Sequence, residues 1–180
     1  MMPNLTGVSV QPGHLYMTRK PMVLRTILGS CVSATFWSAR LGAGALCHGV
    51  LPRCPENTGV PEGHRYVDFS IRYLAQRFDA LGVSRRELQV KLFGGADVLP
   101  ISMARAAKPS IGALNCRAAL EVLEEEGFIV IASDVGGIRG RTIRFDTRTG
   151  EVLVQRLAPG RVPEVLAGDD ALRGRAQNTK

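Results

Sequence analysis

This chain is organised around the stretch Met22-Val-Leu-Arg-Thr-Ile-Leu-Gly-Ser-Cys-Val-Ser-Ala-Thr-Phe-Trp37. Its two halves, residues 22–28 and 32–37, are rich in apolar and β-branched residues and predict two short strands. A helix that begins after Ser30 is an alternative for the second half. The pair Gly29-Ser30 predicts a tight turn between the halves. We therefore expect the Cys31 thiol to be presented at a turn rather than within a sheet.

Outside this stretch, the pattern of apolar residues predicts strands interleaved with two helices. One amphipathic helix begins near Tyr66 and stops at Gly82, and another runs from an N-cap at Ser110 to Glu126. Residues 1–13 are expected to be irregular. Further strands are expected at 14–17, 45–51, 88–93, 128–132, 141–145 and 151–157. These elements are typical of an α/β or α+β layered sandwich, in which mixed β-sheets pack with about two main helices.

Length and composition indicate a globular protein. The chain has 180 residues, of which 45% are hydrophobic and 22% charged, and this suits a single core. We expect one domain over residues 1–157 and a flexible basic tail over residues 158–180. No apolar run is long enough for a bilayer span, and the N-terminus lacks the features of a secretory signal. We therefore expect no membrane insertion and a cytoplasmic location.

The net charge of +7 raises nucleic acid as a partner. The basic residues are scattered along the chain, and no run of five or six occurs. We therefore expect no nucleic-acid partner, and steeply salt-dependent DNA binding would be the sign of one. A basic face suits an acidic protein partner equally well.

Cys31 and His48 are the residue types needed for thiolate catalysis. A free thiol is mostly protonated at neutral pH, so it needs a base. If their strands are neighbours, His48 can serve as that base, and the backbone N–H groups of Ser30, Cys31 and Val32 are candidate donors to an oxyanion. A lone cysteine and a lone histidine are also common as packing residues, so the residue types leave both interpretations open.

The other cysteines and the glycine pairs favour structural roles. Cys47 and Cys116 are expected to be small buried residues, and Cys54 is expected to be exposed; the cysteines form no CxxC pair and have no zinc-ligand spacing. Gly94-Gly95 and Gly136-Gly137 belong to no nucleotide-binding motif. Both pairs are expected to form turns with positive φ.

Several short motifs, taken in order, resemble the chemoreceptor glutamine deamidase family (CheD). They are Leu28-Gly-Ser-Cys-Val32, His48 with Leu51-Pro52, Lys91-Leu-Phe-Gly-Gly-Ala96, Ile111-Gly-Ala-Leu-Asn115, Asp134-Val-Gly-Gly137, Gly140-Arg-Thr-Ile-Arg-Phe-Asp146 and Gly150-Glu-Val-Leu-Val154. Each motif alone is weak, but their order and spacing together are specific.

The resemblance implies a protein-glutamine glutaminase that converts selected glutamine side chains of methyl-accepting chemotaxis receptors to glutamate. It implies a Cys-His-Thr constellation like that of certain bacterial deamidating toxins. In this chain Cys31 is then the nucleophile, His48 the base and Thr26 the residue that orients the imidazole. The reaction passes through a thioester and needs no metal or organic cofactor. Cys47 stands where the family commonly has Asn or Ala, and it either packs silently or disturbs the site.

Two further functions stay open. Family members also bind a CheC-type chemotaxis phosphatase, so a non-catalytic adaptor that binds this phosphatase or a receptor is the main alternative. A cysteine amidohydrolase or protease-like enzyme with another substrate is a third interpretation, and it would cleave peptide bonds alongside, or instead of, releasing ammonia.

Overall fold

The computed structural model describes residues 6–60, 62–98 and 108–158. Of the predicted tail, Ala158 lies within these ranges, and residues 159–180 lie outside them. The described strands are β1 (Gly7–Ser9), β2 (Leu15–Thr18), β3 (Val23–Leu28), β4 (Val32–Ser38), β5 (Ala43–Cys47), β6 (Leu88–Gly94), β7 (Val130–Val135), β8 (Arg141–Asp146) and β9 (Val152–Arg156). The described α-helices are α1 (Val67–Ala80) and α2 (Ile111–Glu125), accompanied by 3-10 helices at Glu62–Arg65 and Arg85–Glu87.

The strands form two mixed sheets. One sheet has the order β1-β3-β8-β9, and the other has the order β2-β5-β4-β6-β7. The pairs β1–β3 and β6–β7 are parallel, and the remaining pairs are antiparallel. Both helices pack on the outer face of the five-stranded sheet. This arrangement confirms the predicted α+β sandwich with two main helices.

Side-chain alternation along the strands divides the core into two clusters. The cluster between the five-stranded sheet and the helices includes Ala34 and Phe36 of β4 together with Leu74 and Phe78 of α1; we call it the helix-side core. The cluster between the two sheets, which we call the inter-sheet core, contains Val10, Met22, Leu24, Leu28, Leu46, Phe93, Ile143 and Phe145. The candidate site residues lie at the inter-sheet core.

Helix α1 stops and helix α2 begins where the sequence predicts. The last turn of α1 gives way to Gly82, whose φ is +68°, and the left-handed conformation favours glycine there. The hydroxyl of Ser110 accepts a hydrogen bond from the backbone N–H of Ala113 at 3.2 Å, which is the predicted N-cap of α2. None of the helices in the described ranges combines the length and apolar character required to cross a bilayer.

Four local expectations need correction. Residues 7–9 form a strand rather than irregular chain, because they pair with β3. The helix alternative after Ser30 is wrong, because β4 is paired on both sides by β5 and β6. The strand expected over 128–132 begins at Val130 and extends to Val135. The strand expected over 45–51 ends at Cys47, so His48 follows it in a more irregular segment.

Candidate active site

Cys31 and His48 lie side by side at the ends of neighbouring strands. The backbone N–H of Val32 donates to the carbonyl of Gly49 at 2.9 Å, and the N–H of Gly49 donates to the carbonyl of Val32 at 2.8 Å. Residues that precede two such paired positions lie diagonally across from each other on one face. Cys31 also packs against the inter-sheet core. The structure therefore brings the predicted nucleophile and base to the same face.

The backbone of His48 is fixed on both sides by the N-terminal segment. Its N–H donates to the carbonyl of His14, and its carbonyl accepts from the N–H of Gly13, both at 2.9 Å. These bonds hold the segment that follows β5 in place although it is not part of a regular strand. His48 is 1% exposed, so its imidazole is screened from bulk water.

Thr26 reaches His48 from the opposite sheet. It is 2% exposed, and its Oγ1 lies 2.7 Å from Nδ1 of His48 and 2.8 Å from the carbonyl oxygen of Val10. A carbonyl oxygen can only accept, so the single hydroxyl proton of Thr26 goes to Val10. Nδ1 of His48 must then donate to Thr26. This places the ring proton on Nδ1 and leaves Nε2 with a lone pair.

The other ring nitrogen of His48, Nε2, differs from Nδ1 in its hydrogen bonding. Nε2 of His48 is buried and has no hydrogen-bond partner among the described residues. The pKa of His48 is lowered to about 4. Burial is the largest cause, the Val10 carbonyl raises the pKa by less, and the neighbouring His14 lowers it. Near neutral pH the imidazole is therefore uncharged, and Nε2 can accept a proton.

The Cys31 thiol is half-buried, and burial raises its pKa above the usual value. Its own backbone N–H lowers the pKa by less. The resting pair is therefore a neutral thiol beside a neutral imidazole rather than a thiolate–imidazolium ion pair. In this state the thiol is a potential proton donor and Nε2 a potential acceptor.

One of the three expected oxyanion donors already donates a backbone hydrogen bond. The Val32 N–H is bonded to Gly49, so the expectation that it could bind an oxyanion is wrong. The N–H groups of Ser30 and Cys31 have no acceptor on another residue within the described part of the chain. These two amides are the candidate donors that the turn leaves available.

The turn that carries Cys31 is held by the predicted Gly94-Gly95 turn. The φ values of the two glycines are +106° and +67°, which confirms the expected positive φ. The N–H of Gly95 donates to the carbonyl of Cys31 at 2.7 Å, and the N–H of Ala96 donates to the carbonyl of Gly29 at 2.8 Å. A Cβ on Gly94 would lie 2.2 Å from the carbonyl oxygen of Cys31, so only glycine permits this approach.

The remaining cysteines do not join the site. Cys47 is buried in the helix-side core, on the opposite face of the chain from His48. This favours the first of the two interpretations, in which Cys47 is a packing residue that does not disturb the site. Cys116 and Cys54 are both half-buried. Cys116 is therefore less buried than expected, and Cys54 is less exposed than expected. Within the described ranges, no group of three or more His, Cys, Asp and Glu side chains is arranged to hold a metal ion.

Arg141 is a buried cation that the sequence reasoning missed. Its guanidinium donates to the backbone carbonyls of Asp134 and Gly136 and to the Asp134 carboxylate. The N–H of Gly136 in turn donates to the carbonyl of Gly94 at 2.8 Å. Arg141 therefore links the start of β8 in one sheet to the end of β7 in the other, beside the turn that holds Cys31. Its inward position could have been found from the alternation that also buries Ile143.

A family model and several known relatives show which family this chain resembles. The family model described as CheD chemotactic sensory transduction matches residues 50–156. A Geobacter sulfurreducens protein named "Probable chemoreceptor glutamine deamidase CheD 2" is 44% identical over 155 residues, which cover 86% of this chain and 92% of that protein. This leaves about 25 residues of the present chain outside the alignment, so positions 31 and 48 fall within it.

Two further relatives have the name "Probable chemoreceptor glutamine deamidase CheD". The protein from Maridesulfovibrio salexigens is 41% identical over 159 residues, covering 86% of this chain and 94% of that protein. The protein from Pseudomonas fluorescens is 36% identical over 159 residues, covering 88% of this chain and 89% of that protein. Because the identities extend over nearly the whole length of these relatives, the present chain belongs to the CheD family.

Proposed function

We propose that this protein hydrolyses glutamine side-chain amides of chemoreceptors to glutamates, with Cys31 as nucleophile, His48 as general base and Thr26 as the residue that orients the base. The observation that carries the proposal is the 2.7 Å contact between Thr26 Oγ1 and His48 Nδ1. It selects the tautomer whose Nε2 can accept the thiol proton. The names of the relatives support the substrate class.

The first half of the reaction is acyl transfer to sulfur. As the glutamine amide carbon approaches Cys31, the thiol proton moves to Nε2 of His48 and the sulfur attacks the carbon. The carbonyl oxygen gains negative charge and accepts hydrogen bonds from the N–H groups of Ser30 and Cys31. The imidazolium then gives its proton to the departing nitrogen. The carbon–nitrogen bond breaks, ammonia leaves, and a thioester joins the substrate to Cys31.

The second half regenerates the enzyme. A water molecule gives a proton to Nε2 of His48 and attacks the thioester carbon. The carbon–sulfur bond breaks, the thiol regains its proton from the imidazolium, and the substrate leaves as glutamate. Throughout, the Nδ1–H of His48 donates to Thr26, which stabilises the positively charged ring while it carries the second proton.

Partners and location follow as parts of the same proposal. Action on the cytoplasmic part of a receptor requires that the protein be present in the cytoplasm. A CheC-type phosphatase is a further proposed partner, supported only by the family resemblance. A non-catalytic adaptor would bind such a partner or a receptor without converting glutamine.

The test compares the wild-type protein with Cys31→Ala on a chemoreceptor cytoplasmic fragment. Ammonia release and the amide-to-acid mass change at individual glutamines are followed together. We expect conversion by the wild type and none by Cys31→Ala. The matched control is Cys47→Ala, which removes a thiol from the helix-side core and should convert glutamine like the wild type. Equal conversion by all three proteins would overturn the assignment of Cys31 as the nucleophile. Tight binding without conversion by any of them would overturn the proposed enzyme and favour an adaptor.

A further inference from the structure

One side chain outside the proposed triad contacts both segments of the site. Asn115 lies in α2 and is completely buried. Its Nδ2 group donates to the carbonyl of Ser30 and to the carbonyl of Val50, each at 3.0 Å. Ser30 immediately precedes Cys31, and Val50 follows His48 by two positions. A single amide group therefore links the turn that presents the thiol to the segment that presents the imidazole.

The chemistry of the two partners determines which end of the amide faces them. Both partners are carbonyl oxygens, which only accept, so the side chain must present its two N–H donors and not its oxygen. Oδ1 is consequently directed elsewhere, and it is buried with no hydrogen-bond partner among the described residues. An unpaired buried acceptor destabilises the folded state. The unpaired Oδ1 therefore offsets part of the stability that the two donated hydrogen bonds provide.

The helix that carries Asn115 packs closely against the Gly94-Gly95 turn, which in turn holds the Cys31 turn. A Cβ on Gly112 would lie 2.6 Å from the carbonyl oxygen of Gly95 and 2.8 Å from that of Ala96. This close approach is possible only because residue 112 is glycine. Gly95 is also the residue whose N–H donates to the carbonyl of Cys31. The Asn115 amide thus has a defined position relative to both segments.

We propose that Asn115 is a positioning residue that sets the separation between the Cys31 thiol and the His48 imidazole. The inference rests on the proposed function. The resting thiol and imidazole are both neutral, so proton transfer between them depends on their relative position. Misplacement of reacting groups by about 1 Å can reduce a rate by about 100-fold. Loss of the Asn115 bridge should therefore reduce the rate of the chemical step more than substrate binding.

The first test measures kcat and KM for Asn115→Leu, which keeps a similar volume and removes both donors. We expect kcat to fall by about 10- to 100-fold, while KM changes by less than about 2-fold. The matched control is Val122→Ala, in the same buried face of α2, which lowers the melting temperature without changing kcat. A kcat for Asn115→Leu within 2-fold of wild type, or an equal fall in kcat for Val122→Ala, would overturn the proposal.

The second test uses Asn115→Asp and keeps the proposal testable if Asn115→Leu does not fold. A neutral carboxyl carries one O–H donor, whereas a carboxylate carries none. The activity of Asn115→Asp relative to wild type should therefore rise as the pH falls, because protonation restores one of the two hydrogen bonds. A ratio that does not change with pH would contradict the bridge. Wild type and Cys31→Ala are assayed in parallel, so failure of the proposed function appears separately, as activity that does not depend on Cys31.

Discussion

At the scale of single residues, the site depends on how His48 is held. Thr26 and the Val10 carbonyl together determine that the ring proton lies on Nδ1. Burial disfavours both the imidazolium and the Cys31 thiolate. In the proposed mechanism the pair therefore stays neutral until a substrate amide offers a carbon for the sulfur to attack, and this limits reaction of the thiol with other electrophiles.

The burial of His48 predicts how stability depends on pH. A histidine in the unfolded chain binds a proton below about pH 6.5, whereas His48 in the folded protein does so only below about 4. Between these values the unfolded state binds more protons, so stability falls as the pH falls through this window. Above about pH 6.5 the contribution is complete. We expect His48 to reduce the free energy of unfolding by about 2 kcal/mol between pH 7 and pH 5.

Chemical denaturation at pH 7, 6 and 5 measures this contribution. The control is His48→Asn, whose side-chain amide can still donate to Thr26 but does not titrate. We expect the loss of stability between pH 7 and pH 5 to be smaller in His48→Asn than in the wild type by the stated amount. Parallel pH dependence of the two proteins would show that His48 is not a buried neutral imidazole.

At the scale of secondary-structure elements, local patterns were sufficient where an element has a strong local signal. The strands β3 and β4 follow from their apolar and β-branched residues on either side of Gly29-Ser30. The C-terminal stop of α1 follows from Gly82, and the N-cap of α2 follows from Ser110. Strand β1 has only three residues and exists because it pairs with β3, which no local pattern reveals. The family resemblance, rather than spacing alone, singled out Thr26 as the partner of His48.

The bridging roles of Asn115 and Arg141 were not predictable from local patterns. Asn115 contacts residues 85 and 65 positions away along the chain. Arg141 begins β8 and contacts the end of β7 in the other sheet, and no local pattern shows that these two strands lie together. In both cases the motif containing the residue was recognised in the sequence, but only the tertiary contacts explain what the side chain does.

The Gly94-Gly95 turn gives a prediction at this scale. Gly94→Ala places a Cβ 2.2 Å from the Cys31 carbonyl oxygen at a φ of +106°, so the Cys31 turn must move. Gly136 also has a positive φ of +72°, but a Cβ there meets nothing within 4 Å. We expect Gly136→Ala to cost about 1–2 kcal/mol of stability through φ alone. Gly94→Ala should cost more and should also abolish deamidation.

Thermal unfolding and the deamidation rate, measured for both glycine variants, distinguish the two effects. Each rate is compared at a temperature where the variant is folded, so that loss of activity reports the position of Cys31. Equal stability losses, or wild-type activity in Gly94→Ala, would mean that the turn does not fix the nucleophile.

At the scale of the whole molecule, the sandwich buries the base and leaves the thiol half-exposed. Thr26 lies in β3 of one sheet, and His48 directly follows β5 of the other. Their side chains meet between the sheets, and Cys31, at the turn before β4, packs against the inter-sheet core. A substrate carbonyl must therefore approach from the turn. The side chain of glutamine, with its amide at the end of two methylene groups, can extend from a protein surface to such a site.

A covalent intermediate on Cys31 is the most direct consequence of the proposed function. The wild-type protein is mixed with a chemoreceptor cytoplasmic fragment, quenched in acid within the first turnover, and digested for peptide mapping by mass spectrometry. We predict a thioester between a receptor glutamyl group and Cys31, formed together with one equivalent of ammonia and absent from Cys31→Ala. Glutamine conversion with the acyl group on another residue, or continued conversion by Cys31→Ala, would contradict the account.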